Sequence, residues 1–226
     1  MDKRISDRKE KYEGTIWKSN SCGNFIILEY NTHDNIIVRF LSTDYETNVS
    51  FKHVKDGGIK DRLHLSVCGK GYVGVGKHRT HVKGKATKPY RLWRGVLQRC
   101  YSENNLEKHP TYRGCSVVEE WHNFQNFAEW FEENYIEGYH LDKDIKVKGN
   151  KVYGPSTCLF VTPKANAAEA IAKHYKMLNP SGDLIEIYNM NAFCRDHNLC
   201  ASNMRNVFRG ARKHHRGWTK YEEEIL

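Results

Sequence analysis

The chain has 226 residues, 39% of them hydrophobic, with 36 Lys and Arg against 27 Asp and Glu, a net charge of +9. That length allows one large domain or two to three small ones, and the basic balance favours an anionic partner. No apolar run is long enough to cross a bilayer, and no apolar core follows the charges of Met1 to Arg8, so neither a membrane span nor a secretory signal is expected. A cytoplasmic protein is expected.

The charge is unevenly placed. Residues 1–90 carry 17 Lys and Arg against 10 Asp and Glu, residues 91–166 carry 10 of each, and residues 167–226 carry 9 against 7. Two basic flanks around a neutral middle suit phosphate contacts on either side of a core with its own acidic site. The seven cysteines are odd in number and contain no C-x-x-C pair, so reduced, mostly buried thiols are expected and structural zinc is not.

In chain order, Phe25 to Tyr30 and Ile36 to Leu41 read as strands around the turn residues Asn31 to Asn35, with a third strand at Thr47 to Phe51. Residues 1–62 are thus expected to form a small β module resembling a barrel. Residues 63–89, with Gly69, Gly71, Gly74, Gly76 and Gly84, read as a basic, loop-rich connector. Gly69-Lys70-Gly71-Tyr72-Val73-Gly74 matches G-x-G-x-x-G, but no long helix follows it, so no nucleotide fingerprint is inferred.

A helical period takes over at Tyr90, Trp93, Val96, Leu97 and Tyr101. A short strand at Cys115 to Val118 and a second helix striped by Trp121, Phe124, Phe127, Ala128 and Phe131 follow. Aromatic stripes at this spacing are core rather than base-stacking platforms. Tyr139 to Ile145 then reads as a strand bearing acids, Gly149 to Pro155 as a tight turn, Cys158 to Val161 as a second strand, and the run from Ala167 to Tyr175 as helix. Alternation would turn His140, Asp142 and Asp144 to one face. Imidazole, carboxylate and, from Asn166, carboxamide groups are what a hard cation such as Mg²⁺ needs to act on a phosphate ester.

Residues 176–226 open with a strand at Leu184 to Tyr188. A helix capped by Asn189 or Asn191, a turn at Asn198-Leu199 and a second helix capped by Ser202 complete a pair that fits a helix-turn-helix. Met204, Val207 and Phe208 are expected inside, leaving Asn203, Arg205, Asn206 and Arg209 outside, where Asn and Arg can pair with base edges. Arg212, Lys213 and Arg216 add charge for phosphates.

From Ser181 to Trp218, with Phe193-Cys194-Arg195-Asp196-His197 and Gly210-Ala211-Arg212-Lys213-His214-His215-Arg216-Gly217-Trp218, the chain resembles the small DNA-binding module appended to phage and intron-encoded homing endonucleases. Residues 90–168, through Arg99-Cys100-Tyr101, Trp121-His122-Asn123-Phe124, Leu141-Asp142-Lys143, Tyr153-Gly154-Pro155 and Asn166, resemble phage proteins of the HNH endonuclease class, especially those with an AP2-like region. The resemblances imply an α+β fold with a central ββα-metal core over residues 90–175, double-stranded DNA as partner, Mg²⁺ or another divalent cation as cofactor, and phosphodiester hydrolysis in the host cytoplasm. Carried over by position, they imply metal binding by Asp142 and Asn166 and catalytic roles for Asp142, Asn150 and Asn166; the shared strand face adds Asp144 as a metal ligand and His140 as a catalytic residue, and Lys143 stands at a catalytic position.

One departure matters. Where that class places its general-base His after Asp142, this chain has Lys143, a poor base at neutral pH with an ordinary pKa of about 10.4. His140 is a substitute base, with His122 and Asp144 as further candidates. The competing reading is an HNH-derived DNA-binding protein without catalysis, acting as a repressor, accessory factor or inhibitor. RNA binding by the β module is a third reading, weakened by the lack of an evident aromatic pair for stacking.

Overall fold

The computed structural model describes residues 3–146, 149–170 and 174–222. It is a mixed α/β structure with several small, mainly antiparallel sheets, and its contacts fall into two compact units. The first comprises Met1–Asn134 and Lys151–Ser156; the second comprises Tyr135–Asn150 and Thr157–Leu226. This grouping differs from the four segments expected from sequence. No described helix is long and apolar enough to cross a membrane.

The first unit opens with helix α1 (Lys3–Tyr12) and strands β1 (Ile16–Ser19), β2 (Gly23–Thr32), β3 (Asn35–Phe40) and β4 (Glu46–Val49), followed by helix α2 (Phe51–Asp56). The four strands form an antiparallel meander in the order β1-β2-β3-β4. Phe25 and Ile27 on β2 and Ile36, Val38 and Phe40 on β3 point to one face and are fully buried. Period-2 alternation dictates this.

The expected barrel is corrected here to an open sheet. Its apolar face is covered by Phe51 and Val54 of α2 and by Tyr12 at the end of α1, whose ring lies 4.7 Å from that of Phe51 and 5.9 Å from that of Tyr30. With that face already buried, the sheet needs no closure. The third strand is also shorter than expected: Ser50 ends it and Phe51 begins a helix, which stops at left-handed Gly57.

Next come the minimal strands β5 (His81–Val82) and β6 (Lys85–Ala86), then helices α3 (Lys88–Tyr101) and α4 (Glu103–Lys108), strand β7 (Ser116–Val117) and helix α5 (Phe124–Asn134). Trp93, Val96 and Leu97 of α3 meet Trp121, Phe124, Phe127 and Ala128 in a core with almost no exposure. Each aromatic side chain there takes roughly 150–250 Å² out of water. Of its two buried indole N–H groups, Trp93 Nε1 donates to the Trp121 carbonyl at 2.7 Å, while Trp121 Nε1 has no hydrogen-bond partner among the described residues.

The Gly-rich segment belongs to this core. Tyr72 N donates to the His122 carbonyl, Phe124 N to that of Tyr72, and the Gln125 carboxamide bonds Val73 and His78. Gly71 passes so close that an added Cβ would stand 2.3 Å from Leu97 Cδ1 and 2.8 Å from Trp93 Cζ2.

The second unit begins with strand β8 (His140–Asp142). The chain then returns to the first unit at β9 (Val152–Tyr153), which pairs parallel with β7. It re-enters the second unit for β10 (Leu159–Val161) and helix α6 (Pro163–Ala170). β8 and β10 are antiparallel, matching His140 with Val161 and Asp142 with Leu159. Two features of the sequence reading change: the first strand ends at Asp142 instead of Ile145, and the connection is a long loop carrying its own strand instead of a tight turn.

Strands β11 (His174–Leu178) and β12 (Leu184–Tyr188), helices α7 (Met190–Asp196) and α8 (Ala201–Phe208), and strands β13 (His214–His215) and β14 (Trp218–Lys220) complete the chain. Their sheet runs β12-β11-β14-β13. Met177, Ile187, Met190, Cys194, Met204, Val207 and Trp218 form the core. The helix expected to reach Tyr175 is described as far as Ala170; residues 171–173 lie outside the described residues, and His174 and Tyr175 are already strand.

Gly71→Ala tests whether the Gly-rich segment is core. Overpacking against Leu97 and Trp93 is expected to cost about 1–3 kcal/mol, read as a lower urea midpoint with an unchanged m-value.

Candidate functional site

Two places in the second unit hold the residues singled out from sequence, apart from His122 in the first unit. The first is the β8–β10–α6 element. Thr162 Oγ1 accepts from Ala165 N at 3.2 Å and Pro163 takes the first helical position, so Thr-Pro starts α6 where its unpaired amides need a cap. Behind the hairpin, the ring of Phe160 meets that of Tyr135 edge-on at 5.2 Å. Asn166 is partly buried on α6, which lies beside β8.

Asp142 ends β8, and its carboxylate has a structural duty. Oδ1 accepts from Asp144 N at 2.8 Å and from Ile145 N at 2.7 Å, which turns the chain out of the strand. Oδ2 carries no hydrogen bond among the described residues. His140 shares the strand face of Asp142 by alternation, is exposed, and its imidazole is likewise without a hydrogen bond among them.

Lys143 lies elsewhere. Its side chain is 8% exposed, and its ammonium donates to Asp144 Oδ1 at 2.6 Å and to the Asn150 carbonyl at 2.8 Å. The Asn150 carboxamide returns a bond to the Lys143 carbonyl at 3.0 Å. Lys143 and Asn150 therefore brace the loop.

Asp144 is off the strand, so the shared face expected for His140, Asp142 and Asp144 does not form. Among the described residues no three His, Cys, Asp or Glu side chains group closely enough to hold a metal ion by themselves. His122 belongs to the first unit, where burial, reinforced by Lys70, holds its imidazole below the ordinary value of 6.5 and the Tyr101 hydroxyl lies 3.5 Å away.

The second place is the α7–α8 pair, joined by His197 to Cys200. Asn189 caps α7 by accepting from Ala192 N. The cap expected at Ser202 is corrected to Cys200, because Ser202 already lies inside α8. Met204 and Val207 are buried as expected. Phe208 is not: it is 37% exposed, edge-on to Tyr175 at 4.9 Å.

Ser202, Asn206 and the C-cap residue Arg209 are exposed on the outer side of α8, with Asn203 and Arg205 half-buried on its flanks. Arg205 is tied to Asn191 Oδ1 at 2.6 Å, Arg212 to the His214 carbonyl at 2.9 Å and Arg216 to the Asn198 carbonyl at 2.7 Å. Asn206, Arg209 and Lys213 are exposed, with no such tie from their side chains among the described residues.

The basic tail is a hairpin. His215 pairs with Trp218 across the two-residue turn Arg216-Gly217, and β14 adds to β11. Burying Trp218 brings His215 to the head of α8, where its Nε2 accepts from Cys200 N at 3.2 Å. Sequence reasoning missed both Ser202 on the outer face and this imidazole cap. The pairing of Trp218 with the core was the available signal.

No family model matches the chain, and no curated protein matches it. A solved structure described as DNA binding and cleavage by the HNH homing endonuclease I-HmuI is 15% identical, with 95% of each chain covered and a TM-score of 0.23. At that score the likeness carries no argument about this chain.

Lys143→Met keeps the stem and removes the ammonium, leaving the Asp144 carboxylate and the Asn150 carbonyl short of a donor. A loss of about 1–3 kcal/mol is expected, with faster amide exchange at residues 143–146. For His215, burial pushes the imidazole below 6.5, and Arg212, Arg216 and His214 push it further. Its folded-state value lies below the unfolded one, so the cap is fully effective above 6.5 and is lost as pH falls from there towards the folded value. An NMR titration of His215 should give a midpoint below 6.5, and thermal stability should drop across the same window.

Proposed function

We propose that the chain is a DNA-binding endonuclease that hydrolyses phosphodiester bonds with the help of a divalent cation, at a site recognised through its C-terminal helix pair. The observation that carries this reading is the ββα arrangement of β8, β10 and α6, which presents one free carboxylate oxygen of Asp142 and an accessible His140 on one strand face.

Those donors fit Mg²⁺, which binds through one or two carboxylates and takes its remaining ligands from water and phosphate. Asp142 through Oδ2 and Asn166 would hold it, with Asp144 contributing only its oxygen not engaged by Lys143. A cation bound there supplies Lewis-acid stabilisation of charge on the phosphate. His140 takes the proton of the attacking water. Lys143 and Asn150 act on the loop that shapes the site, not on the substrate.

DNA is addressed by α8. Asn206 and Arg209 face outward with the donor and acceptor patterns that read adenine and guanine edges, and Asn203 and Arg205 flank them. Lys213, Arg212 and Arg216 contact phosphates. Double-stranded DNA in a host cytoplasm, with the chain encoded by a phage or mobile element, is the setting this implies.

The burial of Lys143 favours a second reading, DNA binding without cleavage, as in a repressor or accessory factor. A residue in the base position that is spent on an internal ion pair leaves catalysis to His140 alone.

Plasmid cleavage in Mg²⁺ separates the two readings. Asp142→Asn retains an Oδ1 acceptor for the loop and removes the charge, so the fold is expected to survive while cutting is lost. His140→Ala is expected to slow cutting by about 10² to 10⁴-fold. A wild-type chain that binds duplex DNA but cuts it in neither Mg²⁺ nor Mn²⁺ would leave only the second reading.

A further inference from the structure

From Arg62 to Ser102 the chain carries ten Lys and Arg and no Asp or Glu. The middle of this stretch folds into the β5–β6 hairpin of the first unit, in which His81, Val82, Lys83, Gly84 and Lys85 are all exposed. Such a hairpin has no apolar core of its own, so its shape must come from its base. Thr87 N donates to the Thr80 carbonyl at 2.9 Å, Thr87 Oγ1 to that of Arg79 at 3.0 Å, and Arg91 Nη1 to that of Ala86 at 2.9 Å. The His81 ring also lies 5.5 Å from that of Tyr90 on α3. The ribbon is therefore anchored to a buried helix while its tip is free.

The tip itself is informative. Val82 pairs with Lys85 across Lys83 and Gly84, whose φ angles are +48° and +75°. A two-residue turn with both centres left-handed favours Asn or Asp before the Gly. Here a lysine occupies that position, and backbone strain is accepted to hold a cation at the outermost point.

Nearby basic residues divide into two sets. Lys77 is neutralised by Glu129 at 3.0 Å and Glu132 at 3.8 Å. Arg79, Lys83 and Lys85 form no ion pair among the described residues. Behind the ribbon, Arg62, Lys77, His78, Arg79, Thr80 and His81 line an open hollow of about 360 Å³.

We infer that this ribbon is a second nucleic-acid contact, one that grips the phosphate backbone of duplex DNA without reading sequence. The inference rests on DNA being the partner. A two-stranded ribbon fits the major groove of B-form DNA. The free cations of the ribbon and its base are two lysines and one arginine, beside a valine and a histidine, with no Asn or Gln to specify a base. Its contribution is affinity and register; α8 supplies the choice of site.

The test measures binding of the full chain to a labelled duplex of arbitrary sequence by fluorescence anisotropy, from about 50 to 200 mM salt. With Arg79, Lys83 and Lys85 all changed to Gln, the slope of log K against log salt should flatten by about 2 to 3, because each lost phosphate contact removes roughly 0.9. Lys83→Asn supplies a control that structural damage cannot mimic. Asn relaxes the left-handed turn, so thermal stability should hold or rise while the slope flattens by about 1.

A triple variant with the wild-type slope overturns the ribbon and leaves the DNA reading standing. No binding by the wild type overturns both. Tighter binding to an RNA duplex of the same sequence overturns the assignment of the partner.

Discussion

A buried ammonium group is tolerated only when an opposite charge and enough hydrogen-bond acceptors accompany it, and Lys143 meets this condition through Asp144 and the Asn150 carbonyl. That requirement fixes the loop beyond β8. To bring Asp144 within 2.6 Å of Lys143, the chain must leave the strand immediately after Asp142, and Asp142 enforces the departure by accepting from the next two free amides. The candidate site follows from the geometry: one carboxylate oxygen is used to bend the chain, the other is left over, and His140 is the remaining group of use on that strand face. A lysine in this position builds the frame that holds the acid and, on the proposed reading, leaves the base role to His140.

Charge is sorted along the chain in a related way. Helix α5 carries Glu129 and Glu132, which hold Lys77 and face both ring nitrogens of buried His78 at 3.2 Å. The acids of the first unit's helical core thus absorb the positive charge at the root of the basic stretch, and the cations beyond it, from Arg79 to Lys85, pair with no acid among the described residues. Unpaired like charges on a short ribbon repel one another. They are sustained because the ribbon's conformation is set by hydrogen bonds to Thr87 and Arg91 instead of by packing at its tip.

The sequence made parts of this legible for a clear reason. Helices α3 and α5 and strands β2, β3 and β12 bury one regular face each, and burial is what periodicity reports. Helix α1 escaped because none of its residues is buried; it is held by Arg8 on the Tyr30 hydroxyl at 3.1 Å and by the Tyr12 ring. The first two residues of strand β11, His174 and Tyr175, read as helix because they follow an Ala-rich run, while the strand's actual support is non-local, from β12 on one edge and β14 on the other. The glycines of residues 63–89 look like linker by composition. Gly71 is instead small because two core side chains occupy the space its Cβ would need. At the candidate site, Asp142 and Asn166 stand out by pattern, but the inward turn of Lys143 depends on a partner seven residues away across a loop.

On the proposed reading, DNA binding and cleavage would rest on different physical footings in this chain. The basic ribbon and the outer face of α8 are supported by packing and backbone hydrogen bonds that do not involve the β8 loop, so the loss or gain of a competent base near Asp142 would leave them intact. The reverse does not hold. Without a polyanion beside it, a lone carboxylate oxygen and a carboxamide are a weak claim on a divalent cation, since Mg²⁺ bound by so few protein groups relies on phosphate oxygens to complete its shell. On the proposed reading, the phosphates of DNA held by α8 would supply those oxygens, so cation binding would follow nucleic-acid binding.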